Sequence, residues 1–243
     1  MMTPEQSLLE ARRVIRGIVA SGHDRPSLVS TIASEIGADI IEGVVKPGQD
    51  LNTVELSKQH HSSRTPVREA LMLLEAEGLV DIPPRKRPHA KMLSIEEIRE
   101  IYRTRAALLE FIATDVANLA DEHDIALLKA ILDKMRAAVA QRDLRASVWL
   151  SVEFHDANAG ISRNSTVKRI IDSLLLRTLV IRRLSLSLPS RVEESLDDHI
   201  RLVSAYENRD PFLASAILRA NHVGSLAAVE NYFNKTGRFE RGA

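Results

Sequence analysis

Cysteine is absent, which excludes disulfides, thiol nucleophiles and cysteine-ligated zinc or iron–sulfur centres together. A reducing cytoplasm is the expected setting. Glycine and proline are sparse, ten and nine in 243 residues, and apolar residues make up 44%. That balance favours a helix-rich globular chain. No uninterrupted apolar run reaches the roughly 18 residues that a membrane-spanning helix needs, and Glu10, Arg12, Arg13 and Arg16 break up the start of the chain. Neither a membrane partner nor a signal peptide is therefore expected. There is no excess of either charge, with 33 Lys and Arg against 33 Asp and Glu. Even residues 28–93 hold eight basic side chains against nine acidic ones, so a nucleic-acid role has to rest on where cations sit.

What is present suffices for two small domains. Residues 1–27 read as a helical extension, with Leu8, Ala11, Ile15, Ile18 and Val19 on one stripe. A helix over 28–43 carries Ile32, Ile36, Ile40 and Ile41 on one side and stops at Gly43. Lys46-Pro47-Gly48 then makes a turn, and Asn52 with Glu55 resembles a capping box for a short helix over 53–60. His61, in the connection that follows, suits a left-handed backbone position. Ser63 next stands as N-cap of a helix with Pro66 in its first turn and Val67, Ala70, Leu71 and Leu74 on its apolar side. Arg64, Thr65 and Arg68 are left facing outward at the positive end of that helix, as a major-groove reader requires. Gly78 ends the helix, Leu79–Ile82 reads as a strand, and Lys91-Met92 reads as the end of its partner. Between the two lies a basic tip containing Arg85, Lys86, Arg87 and His89, suited to phosphate contact.

Pro47-Gly48, the short second helix, Ser63–Leu71 and Leu74-Glu75-Ala76-Glu77-Gly78-Leu79-Val80 together resemble the winged helix-turn-helix domain of GntR-family transcription regulators, over about 28–93. The resemblance implies DNA contact by Ser63, Arg64, Thr65, Arg68 and the wing. The chain departs from the family pattern at Val54, at His60-His61-Ser62 and at Arg87-Pro88, which replaces the usual wing glycine.

From Ser94 onward helical periodicity predicts helices of about 94–120, 123–141, 143–160, 165–187, 190–208 and 211–235, joined by short links into an antiparallel all-α bundle. Ser94 with Glu97 and Ser190 with Glu193 read as capping boxes, and Asp143, Asn164 and Asp210 as N-caps. His155, His199 and His222 fall at interior positions of three helices, where imidazoles can converge on a divalent metal or simply fill the core. Arg105, on a bundle-facing helix, suits a carboxylate, either of a ligand or of Glu110 or Asp115.

Arg105–Glu110, Glu153-Phe154-His155 with Asn164, and the last two helices with His199 and His222 resemble the FCD ligand-binding domain of the FadR subfamily, over about 94–235. In metal-binding members three histidines at these places hold zinc or nickel, and a carboxylate one turn before the first completes the set. Here that position is Ser151. The resemblance also implies that Arg105 helps to hold an organic acid. The fold expected is thus mainly α, with a winged helix-turn-helix domain at 28–93 and an FCD-like domain at 94–243. The function expected is that of a non-enzymatic, homodimeric regulator, a repressor, on a palindromic double-stranded DNA operator, responding to a small carboxylic acid in a metal-containing pocket. The alternatives are a metal-free pocket for an apolar effector and, from another class, a three-histidine metallohydrolase.

Overall fold

A computed structural model describes residues 1–19 and 27–236. The chain divides into two compact units, one of Thr3–Leu93 with Asp172–Val180, the other of Met1–Met2, Ser94–Ile171 and Ile181 onward. The architecture is mainly helical, with one two-stranded antiparallel sheet among the described residues.

In the first unit α1 (Pro4–Val19) packs on α2 (Leu28–Ile41) through Ala11 and Ile15, and α2 packs in turn on α4 (Arg64–Ala76). The short α3 (Thr53–Gln59) lies against α4. Ile32, Ile36, Ile40 and Ile41 of α2 and Val67, Ala70, Leu71 and Leu74 of α4 are all buried, as their spacing demands. Gly37 marks the closest approach. A Cβ there would lie 2.9 Å from Ile15 Cδ1 and 3.1 Å from Leu74 Cδ2.

Caps are mostly where the side chains called for them. Asn52 accepts from the Val54 amide at 3.0 Å, although Glu55 bonds the Asn52 side chain and not its backbone. His61 adopts φ +48°. Ser63 holds the extended N-cap backbone but makes no side-chain cap bond, so the first turn of α4 starts without the hydroxyl expected to close it. At the other end Gly78, at φ +74°, lets Leu79 N reach Leu74 O at 2.9 Å, a left-handed terminus that glycine enters without strain.

The wing is shorter than its sequence suggested. The sheet pairs β1 (Val80–Asp81) with β2 (His89–Ala90), so His89 belongs to a strand and not to the tip, and Lys91-Met92 falls outside the ladder. Asp50 forms an additional bridge to His89. With no glycine at the tip, the left-handed residue is Arg85, at φ +63°.

The second unit is a bundle of α5 (Ile95–Leu119), α6 (Glu122–Ala140), α7 (Leu144–Ile161), α8 (Ser165–Ser173), α10 (Arg191–Glu207) and α11 (Pro211–Thr236), with the latter part of α9 (Leu175–Ser187). The helix expected over 165–187 is two helices. The Thr178 hydroxyl donates to the carbonyls of Leu174 and Leu175, at 3.1 and 2.8 Å, competing with the ladder at the break. Ser94 and Glu97 form the expected capping box, and Asp121 with Asp124 forms another that sequence reasoning passed over. Ser190 does not cap α10. Its backbone is left-handed at φ +63° and its side chain reaches no helical amide.

α11 runs antiparallel along α5, tied by Arg99 to Glu230 at 2.6 Å and by Arg219 to Glu110 at 2.9 Å. It is the one described helix long and apolar enough to cross a membrane by length and composition, yet His222 and Asn221 on it are buried among polar partners of the bundle. The core centres on Leu109, Ile112, Leu128, Phe154 and Tyr206. Within it the Tyr206 hydroxyl donates to Asn158 Oδ1 at 2.7 Å, and Asn158 Nδ2 donates to Phe154 O at 2.8 Å. Tyr206→Phe leaves that buried oxygen without its donor, and is expected to cost about 1–3 kcal/mol of unfolding free energy. An unchanged urea midpoint would show the bond to be dispensable.

Candidate functional site

Two sites emerge, one in each unit. In the first, α4 buries Val67, Ala70, Leu71 and Leu74 completely and thereby fixes which side of its first turn faces outward. Ser63, Arg64, Thr65 and Arg68 are all exposed. No ion pair engages Arg64 or Arg68 among the described residues. At the wing Arg85, Lys86 and Arg87 are exposed and His89 is half-buried. Arg87 stands 3.9 Å from Asp50, and His89 stands 3.8 Å from Asp81. Such loose surface pairs contribute little and yield readily to phosphate.

In the bundle α7, α10 and α11 bring His155, His199 and His222 together. The ring of His155 lies 5.3 Å from that of His199 and 5.4 Å from that of His222, measured between centroids. Phe154 backs the cluster, its ring edge-on to His199 at 4.5 Å. The Ser195 carbonyl accepts from His199 Nδ1, and the Leu218 carbonyl accepts from His222 Nδ1 at 3.3 Å. A carbonyl can only accept, so both rings carry their hydrogen on Nδ1 and present a lone pair at Nε2. His199 Nε2, His155 Nδ1 and Ser185 Oγ are buried and without hydrogen-bond partners.

Arg182, on α9, is the residue that sequence reasoning missed. It is 8% exposed and donates from a terminal guanidinium nitrogen to Ser151 Oγ at 2.7 Å. Its place at i+3 from Leu179 and i−4 from Leu186, both buried, is a helical signal that would have found it. Arg182 and Ser151 line a polar recess with Tyr102, His155, Asn221 and His222. The free interior of this recess is about 20 Å³, close to the space of one water molecule.

Arg105 is buried too, and donates to Ile171 O at 3.5 Å. Of the two acids weighed as its partners, Glu110 pairs with Arg219 and Asp115 accepts from Asn164 at 3.5 Å. Glu153 and Asp156 pair with Lys134 and Lys168 on the outside of α7, so neither stands in for the missing carboxylate at Ser151.

Burial dominates the electrostatics. It pushes His199 down to about 4, and drives His155 and His222 well below the usual 6.5, with Arg182 the next cause for His155 and Arg105 for His222. Burial also lowers Arg182 and raises the Tyr102 phenol, which stays neutral.

Neutral imidazoles suit a metal, and the lone orphaned nitrogen of His199 is the kind of donor a metal would satisfy. The fourth position does not suit one. Ser151 brings no charge, and the guanidinium bonded to it repels a divalent cation. Among the described residues no group of three or more His, Asp or Glu side chains is gathered as a metal ion requires. The donor set as a whole does not fit the zinc or nickel that the family resemblance suggested.

A head of three helices and a wing, followed by a helical bundle, defines the class of a DNA-binding transcription regulator. Residues 28–89 match the sequence profile of the bacterial regulatory proteins of the gntR family, and residues 100–223 match that of the FCD domain. The chain belongs to the GntR family, in the FadR-type branch that carries an FCD domain. It is 27% identical to the HTH-type transcriptional repressor RspR of Escherichia coli (strain K12) over 172 residues, 71% of this chain and 75% of that one. It is 24% identical to the gluconate operon transcriptional repressor of Bacillus licheniformis over 226 residues, 90% of this chain and 92% of that one. Among solved structures, E. coli McbR/YncC shares the fold with a TM-score of 0.73 at 22% identity, covering 86% of this chain and 99% of that chain.

The three depressed imidazoles make the bundle acid-sensitive. The unfolded chain takes up protons near 6.5 that the folded core refuses until far lower pH, so stability is full above about 6.5 and falls as pH drops toward 4. From His199 alone the loss is on the order of 3 kcal/mol. Urea unfolding at pH 7.5 and pH 5 should show the lower midpoint at pH 5. Equal midpoints would mean that the imidazoles titrate normally.

Proposed function

We propose that this protein is a homodimeric, cytoplasmic repressor that binds a palindromic operator through two winged heads and responds to a small organic acid in the bundle recess. The observation that carries the DNA half is the first turn of α4, with its apolar side sealed and Ser63, Arg64, Thr65 and Arg68 left outward. On this reading Arg64, Thr65 and Arg68 meet base edges and phosphates in the major groove. Arg85, Lys86, Arg87 and His89 hold the adjacent backbone.

The relatives named as repressors favour repression over activation. A dimer is favoured by the apolar surface of the antiparallel pair α5 and α11, where Phe111 is 62% exposed and Phe212 is 86% exposed. Two-fold symmetry then calls for two half-sites related by the same axis. The effector acts only to the extent that it binds the operator-competent and incompetent arrangements with different affinity. Arg105 is retained as a contributor of positive field to the recess, acting through His222. The polar lining weighs against an apolar effector. No general base stands beside the three histidines in this reading, and the named relatives are transcriptional regulators, so catalysis forms no part of it.

Arg68→Ala tests the assignment. Operator affinity is expected to fall by about 1–3 kcal/mol, while binding to unrelated duplex falls less. Undiminished operator affinity would remove Arg68 from the interface. A monomer in sedimentation at operator-binding concentrations would contradict the two half-sites.

A further inference from the structure

The reading helix α4 begins without a cap of its own. The seam with α2 sets which face of α4 looks outward, but Ser63 makes no side-chain bond to the first turn, so the position of that turn is left to the segment that delivers it. The segment is His60-His61-Ser62, one of the places where this chain departs from the family pattern. It is closed through its backbone, with His60 N on Leu56 O and Ser62 N on Ser57 O, both at 2.9 Å, and with His61 left-handed at φ +48°. One of its side chains is also held from outside. The ring of His60 is 7% exposed, and its Nδ1 stands 2.9 Å from Glu35 Oε2 of α2.

Glu35 has a second acid beside it. Asp39 follows one turn later on the same helix face, and two carboxylates at that spacing repel. The cation that answers them comes from α1. Arg12 Nη1 lies 3.9 Å from Glu35 Oε1, and Arg12 Nε is sealed from water without a hydrogen-bond partner. Both side chains are about two-thirds covered, so their attraction is screened less than that of the exposed pairs on the wing. Burial raises the Asp39 carboxyl, and Arg12 opposes that rise more strongly than His60 does. α1 is itself seated on the head by Ala11 and Ile15, and Ser7 Oγ donates to Glu42 at 2.7 Å. It lies outside residues 28–89 that match the gntR profile, yet it belongs to the same compact unit.

We propose that α1 is part of the DNA-reading apparatus: Arg12 steadies Glu35, Glu35 holds His60, and the histidine turn so held places the first turn of α4 against the operator. Arg12, Glu35 and His60 are positioning residues that act through α4 and need no contact with DNA themselves. The inference rests on the reading of α4 as the helix that meets the operator. It joins two features that have no other role in that reading, the additional helix and the histidine turn.

The test measures the affinity of full-length protein for an operator duplex selected from random DNA and for an unrelated duplex, by fluorescence anisotropy, with circular dichroism to establish folding. His60→Phe keeps a ring but no nitrogen, and Arg12→Met keeps the stem but no charge. Each is expected to weaken operator binding about tenfold, as the loss of one base contact would. Binding to the unrelated duplex, which rests on phosphate contacts, should not change. The double variant should be no weaker than His60→Phe alone, because the two act along one path. Arg12→Lys should bind the operator as the wild type does. If His60→Phe does not fold, the two Arg12 variants carry the test. The inference is overturned if folded variants keep wild-type operator affinity, or if both duplexes weaken equally, which would make Arg12 a phosphate contact. It is overturned too if the losses multiply in the double variant, or if Arg12→Lys is as weak as Arg12→Met. Arg68→Ala is measured alongside. Operator binding weakened by Arg68→Ala alone would leave α4 as the reader and remove α1 from the account, whereas binding indifferent to every variant would remove the reading of α4 as well.

Discussion

A charge taken out of water must be answered by another, and among the described residues of this bundle the guanidinium of Arg182 is answered by a serine hydroxyl and by no acid. That imbalance organises the site. The helices around it supply neutral groups at every turn: imidazoles depressed by burial, a phenol held protonated, and several serines. A buried cation without an anionic partner is poorly satisfied by itself.

The winged head obeys a different constraint. Its net charge is close to zero, so affinity for DNA has to come from the placement of cations at one helix start and one wing tip. α2 and α4 share an apolar seam at which a Cβ on Gly37 would crowd Leu74, and that seam fixes the orientation of Arg64 and Arg68. If an acid bound in the recess changes operator affinity, the operator must change acid affinity by the same factor.

Much of this architecture was legible in the sequence, because periodicity and caps are local signals. The stripe of isoleucines in α2, the apolar face of α4, the capping box at Ser94 and the interior placement of three histidines all follow from spacing. The misreadings have local causes as well. Ser63 and Ser190 have the composition of caps without the bond, since backbone geometry decides whether a hydroxyl can turn to the amides. The helix over 165–187 broke where Thr178 competes for carbonyls, which periodicity does not report. At the recess the family pattern drew attention to a missing carboxylate at Ser151, and the sequence held nothing nearby to replace it. The answer lay 31 residues away on α9, and a pairing of that range is visible only in three dimensions.

The most direct measurement is the affinity of the wild-type protein for an operator duplex selected from random DNA, followed by fluorescence anisotropy as each of a panel of small organic acids is raised. If the recess governs the head, operator affinity changes over the acid concentrations at which calorimetry shows the recess filling, and the two half-saturation points agree once linkage is allowed for. Operator affinity that stays constant through full occupancy of the recess would contradict the link between them.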